Sequence, residues 1–169
     1  MNPPEHAATK GPRRPPHFDA GCVPYFVSTR AHRSRRIFVG RAAEIAVQEL
    51  GDQRNRHGFL LRAFAFMPDH AHFVVVPHVS SNVSGTMRII KGSIARRVNE
   101  HLGISGPLWQ EGFFDRVART RGQLHAYIEY VHQNPVAARL VDDVSAYPYS
   151  SGDGRCMADY HAFFEEQVR

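Results

Sequence analysis

Apolar and polar positions alternate along some stretches of the chain and recur at three- and four-residue steps along others. Cys22 to Thr29 (CVPYFVST) is rich in aromatic and β-branched residues and predicts a first strand. Pro24 within it implies an irregular start or an edge position. From Arg41 to Arg56, Ala42, Ile45, Ala46 and Leu50 form the apolar stripe of a helix, with Gly58 after it. Leu60 to Phe66 and His72 to Val76 predict two strands joined by MPDHA, where Pro-Asp supplies turn chemistry. The period of two puts His70, His72, Val74 and Val76 on one face, and Ala71, Phe73 and Val75 on the other. Met87, Ile90, Ile94 and Val98 then mark the buried side of a second helix, from about Val83 to His101. FFDRVART, Phe113 to Thr120, alternates as a strand. Thr120 and Gln123 form a capping box that opens a last helix, which Pro135 is expected to end or kink.

The order is strand, helix, strand, strand, helix, strand, helix. It predicts an α+β fold: a ferredoxin-like βαββαβ unit with a central antiparallel sheet and helices on one face, plus a C-terminal helix. Residues 21–151 are expected to form this one domain. Residues 1–20, rich in proline and charge, read as a disordered lead-in, and residues 152–169 as a C-terminal extension. No window approaches the roughly 18 apolar residues of a membrane span. The basic start lacks an apolar core, so it is not expected to act as a secretory signal. Cys22 and Cys156, far apart and outside any CxxC spacing, fit a reducing cytoplasm.

Charge changes the picture more. Residues 1–120 carry 17 Lys+Arg against 9 Asp+Glu, and residues 121–169 carry 4 against 7, giving net charges of +8 and −3. Arginine outnumbers lysine 19 to 2, and a guanidinium fork suits phosphate better than an ammonium does. A nucleic acid is therefore the expected partner. Two groups of cations could meet its backbone: Arg30, Arg33, Arg35 and Arg36 in a loop, and Arg88, Lys91, Arg96 and Arg97 on the second helix. Each group also reads as an ordinary solvated surface.

The candidate chemistry begins at His70-Ala-His72. Imidazoles at i and i+2 on a strand point the same way and can share one divalent ion, although eleven histidines make chance pairs common. Tyr130 and Asn134 lie one helical turn apart. A tyrosine there can act as a nucleophile once its proton is removed, and Asn134 can offer a carbonyl oxygen to a metal. Tyr130 also reads as a half-buried aromatic, and Asn134 as the N-cap of a short helix beginning at Pro135.

Taken in order, MPDHAHFVVV, MRIIKGSIARRVN, LWQEGFFDRVART, YVHQNPVAARLV and VSAYPYSS resemble the REP-associated tyrosine transposases. These are single-strand transposases of the HUH class (His, hydrophobic residue, His), and the likeness covers roughly residues 22–151. It implies a divalent metal, Mg²⁺ or Mn²⁺, on His70 and His72, with Asn134 as a further ligand. It implies Tyr130 as the nucleophile, with Tyr127 three residues earlier as the backup. The activity implied is cleavage and rejoining of single-stranded, hairpin-forming repetitive palindromic DNA through a 5′-phosphotyrosine, by a monomer rather than a dimer. The rival reading is a ferredoxin-like nucleic-acid-binding module, or a domesticated relative that binds without cutting. The histidine-triad hydrolases fit poorly, since the third histidine of their motif is Val74 here.

Overall fold

A computed structural model of the chain describes residues 22–154. The expected lead-in at 1–20, and the extension with Cys156 from residue 155 onward, lie outside the described residues. Four strands and three helices follow one another: β1 (Tyr25–Arg30), α1 (Gly40–His57), β2 (Leu60–Met67), β3 (His70–Val76), α2 (Val83–Leu102), β4 (Phe114–Val117) and α3 (Arg121–Ala137). The sheet is antiparallel in the order β2-β3-β1-β4, so the βαββαβ unit is ferredoxin-like, as the pattern predicts. No described helix is long and apolar enough to cross a membrane.

Pleating sorts the side chains into two layers. Tyr25, Val27, Ala71, Phe73 and Val75 face α1 and α2, where Met87, Ile90, Ile94 and Val98 complete the larger core. Phe26 and Val74 face α3, packing with Leu124, Ile128 and Val131. The His70–His72 face is therefore the α3 face, opposite the two other helices. β1 is central rather than an edge; of the two readings of Pro24 the irregular start holds, with the strand beginning just after it.

β2 contains a bulge. Leu61 pairs with Val75 and Ala63 with Val74, which leaves Arg62 as an extra residue. Beyond it Phe64 and Phe66 join Leu61 in the α1/α2 core, while Ala63 and Ala65 lie beneath α3. These two small residues let α3 seat closely on the sheet.

α3 starts at the Thr120 cap that the sequence predicts, with the Gln123 side chain reaching back one residue further than a capping box does. Thr120 Oγ1 accepts from Gln123 N at 3.1 Å, and Gln123 Oε1 accepts from Arg119 N at 2.8 Å. Pro135, however, does not end the helix. It sits in the last turn, gives up one intrahelical N–H, and the chain stays helical to Ala137. Asn134 is consequently inside the helix, its carbonyl accepting from Ala138 N, and is not the N-cap of a new one.

The outer edge of β2 is covered by the segment after α3. Phe66 N donates to Tyr149 O at 2.9 Å, Phe64 N donates to Ser151 Oγ at 2.9 Å, and Tyr147 Oη donates to Phe66 O at 2.8 Å. Ser151 Oγ also lies 2.8 Å from His132 Nε2, tying this segment to α3. Burial, with a smaller push from Tyr149 against the pull of Arg36, raises the Tyr147 phenol to about 12. Its contribution is thus present below pH 10 and lost as pH rises through about 12. Tyr147→Phe is expected to cost about 1–2 kcal/mol of stability near neutral pH, read by urea unfolding. An unchanged midpoint would mean the hydroxyl contributes nothing.

Candidate active site

β3 is an inner strand, hydrogen-bonded on both sides, so its two histidines are held by the sheet itself. Their ring centroids are 4.8 Å apart. His72 is buried at 1% exposure, while His70 opens towards solvent at the start of the strand. His72 stacks on Phe26 at 5.6 Å, and Tyr130 meets both rings edge-on, each at 5.5 Å. Tyr127, one turn earlier, stacks on Phe26 at 5.3 Å. Both tyrosines therefore reach the site face, and Tyr130 is the one whose ring also contacts His72.

Asp69, which the sequence presents as a turn residue, has a second task. Its Oδ1 accepts from His70 Nδ1 at 2.7 Å, and its Oδ2 lies 3.8 Å from Arg30 Nη1. Partial burial would raise this carboxyl, but the hydrogen bond and charge of His70, with the charge of Arg30, outweigh it and hold it low. An ionised carboxylate only accepts, so His70 Nδ1 carries a proton, and when the ring is neutral Nε2 is the nitrogen left with a lone pair.

Two imidazoles on one strand face, one of them braced by a carboxylate, suit a divalent metal with open coordination positions. Among the described residues no group of three or more His, Cys, Asp or Glu could hold a metal. Asn134 is half-buried on α3, one turn beyond Tyr130.

The two arginine groups part company. Arg30 ends β1 opposite His70 in register, on the site face. The loop after it is pinned to the β2–β3 turn, Ala31 N donating to Asp69 O and Phe38 N to Pro68 O. Arg33, Arg35 and Arg36 are exposed on this loop, at the His70 end of the sheet. Arg33 and its neighbour Ser34 adopt left-handed φ of 55° and 52°, a costly backbone that the pinned loop maintains. Arg35 also donates to Pro107 O.

Arg88, Lys91, Arg96 and Arg97 instead ride on α2, in the layer behind the sheet, and the structure does not bring them to the histidines. Lys91 Nζ donates to Gln110 O at 3.0 Å and to Gly112 O, and burial lowers its pKa. Arg97 lies 3.8 Å from Glu49 of α1. Arg88 and Arg96 are exposed. Three residues on the site face had no sequence assignment: Phe26, Phe114 and Arg116. Only the last two carried a signal, their alternation on β4.

Residues 23–134 match the family model described as IS200-like transposase. The chain belongs to the IS200-like transposases. It is 25% identical over 99 residues to a REP-associated tyrosine transposase of Haemophilus influenzae, covering 53% of this chain and 56% of that protein. Against the REP-associated tyrosine transposase of Escherichia coli it is 26% identical over 94 residues, covering 55% and 54%. The chain thus spans about half the length of the curated relatives it matches. Among solved structures it is similar to a REP-associated tyrosine transposase bound to a REP hairpin, with a TM-score of 0.71 and 18% identity over 92% of this chain and 96% of that one. A Deinococcus radiodurans transposase gives 0.51 and 23% over 63% and 88%. At these identities the two likenesses establish the fold.

Proposed function

We propose that this transposase belongs to the REP-associated branch and cuts and rejoins single-stranded DNA by transesterification, with Tyr130 as nucleophile. The observation that carries the reading is the contact of the Tyr130 ring with His72, on the face that the His70–His72 pair shares. Tyr130 gives up its phenolic proton to solvent and its oxygen attacks phosphorus. The P–O3′ bond breaks as the P–O(Tyr) bond forms, and the leaving 3′ oxygen takes a proton from water. One phosphodiester is exchanged for another, so a free 3′-hydroxyl can reverse the step without ATP.

His70, His72 and Asn134 would hold Mg²⁺ or Mn²⁺, which when bound supplies positive charge for a non-bridging oxygen of the scissile phosphate. Asp69 keeps the His70 ring in the ligating tautomer. Phe26 supports His72 and Tyr130 from beneath and limits water on that side. The likeness to a structure solved with a REP hairpin supports hairpin-forming DNA as the substrate. Trapping of the protein–DNA link is the direct test. The monomeric state is part of the same reading, and a sedimentation profile that stays monomeric when hairpin DNA is added would agree with it.

Arg33 and Arg36 lie at the site end of the sheet, whereas Arg88 and Arg96 lie in the far layer. Replacing the first pair by Ala is expected to weaken single-strand binding and to flatten the log–log salt slope by about 0.7 per lost phosphate contact. The second pair is expected to leave both nearly unchanged. An equal loss from both pairs would show that DNA wraps the α2 layer as well.

A further inference from the structure

Among the described residues, the sheet face that carries His72 is only half roofed. α3 packs on β2 and β3 and reaches β1 at Phe26, whose ring meets Tyr127 and Tyr130. Beyond Phe26 the same face of β1 and β4 stays open: Ser28 and Phe114 are half-buried, Arg30 and Arg116 exposed. The reverse face of β1 is closed, with Tyr25, Val27 and Ala31 buried.

These open residues are ordered by register. His72 pairs with Ser28, and Ser28 with Phe114, so one row runs from the histidine to the β4 edge. Phe114 lies two strand spacings from His72, about 10 Å. Arg116 sits in the next row, opposite Phe26. The Phe114 ring meets Phe26 edge-on at 6.4 Å, and the Arg116 guanidinium carbon lies 5.2 Å from the Phe114 centroid. A guanidinium held over an aromatic ring gives a flat cationic plane. A nucleobase can stack on that plane, and the N–H fork at its edge suits phosphate. Asp115, the one acidic residue of β4, alternates to the other face.

We infer that this β1–β4 shelf binds one unpaired nucleotide of the DNA strand next to the phosphate at Tyr130. Its base lies against Phe114 and Arg116, and its phosphate meets the Arg116 and Arg30 forks. The inference rests on the single-strand reading above and gives it a basis for choosing strands. Bases stacked inside a duplex present no free plane, so the shelf favours unpaired DNA at the cut over a paired stem.

The test uses the full chain carrying Tyr130→Phe, so that nothing is cleaved. Its ligands are a short single-stranded oligonucleotide with one fluorescent adenine analogue at successive positions, and a fully paired stem of the same sequence. Arg116→Ala and Phe114→Leu are each expected to weaken single-strand binding about 5- to 150-fold, the span one stacked base is worth. Both should relieve the quenching at one position only and leave stem affinity unchanged. Arg116→Lys should keep the salt slope but lose the quenching. Phe114 touches Phe26, so its variant is checked by circular dichroism; Arg116 is exposed, and its variant decides if Phe114→Leu unfolds. Parent-like binding and quenching in Arg116→Ala would overturn the shelf. A parent chain that binds the stem but no single strand would overturn the single-strand reading, and the shelf with it.

Discussion

Tyr130→Phe is expected to abolish a covalent protein–DNA adduct that Tyr127→Phe retains. The adduct forms when the chain meets a labelled single-stranded hairpin oligonucleotide with Mg²⁺ or Mn²⁺, and it is read as label surviving denaturation. The two phenols lie one turn apart and both touch Phe26, so proximity to the aromatic cluster does not separate them. The contact with His72 does. Loss of the nucleophilic oxygen leaves nothing to form the P–O bond, so the expected effect is loss below detection rather than a fractional decrease. The substitution keeps the ring and its packing, so the fold and DNA binding should survive. An adduct that persists in Tyr130→Phe would sink the assignment. Salt-sensitive binding with no adduct from the parent chain would favour the binding module without cleavage.

Asp69→Ala should weaken Mn²⁺ affinity about 10- to 100-fold, the usual cost of losing the partner that orients a metal-bound histidine. His70→Ala combined with His72→Ala should abolish binding altogether. Calorimetry or electron paramagnetic resonance of added Mn²⁺ reads both without any DNA present. The hairpin itself should hold in Asp69→Ala, because the tie from Ala31 N runs to the backbone carbonyl of residue 69. The His70 ring, once released, can protonate at either nitrogen and turn about its side chain. Asp69→Asn retains an acceptor oxygen without the charge and should fall between the parent and Asp69→Ala. Parent-like Mn²⁺ affinity in Asp69→Ala would leave that carboxylate with no part in metal binding.

The elements and their order were legible because each rests on a local period: alternation around His70 to Val76, three-and-four spacing from Met87 to Val98. Local signals could not say which layer a helix joins. The cations of α2 therefore looked equivalent to those of the loop at 30–36, although the sheet lies between them and the histidines. Pro135 does not stop α3, which runs two residues past it, and the sequence does not mark where that last turn falls. Asp69 was visible as turn chemistry, but its bond to His70 depends on how the hairpin closes. Phe114 and Arg116 acquire meaning only once β4 lies against β1, a pairing between segments nearly ninety residues apart.

The bulge at Arg62 bears on insertions and deletions in this part of the gene. Because Leu61 and Ala63 already oppose consecutive residues of β3, losing the codon for Arg62 would leave the alternation of β2 intact. Losing the codon for Ala65 would turn Phe64 or Phe66 towards α3, whether the bulge is kept or lost, into the space that Ala63 and Ala65 leave. The helix would be levered off the sheet, and Tyr130 carried away from His72 with it. Reading-frame-preserving length changes should therefore keep the pleat in phase at one position of this strand and throw the site out of phase just beyond it.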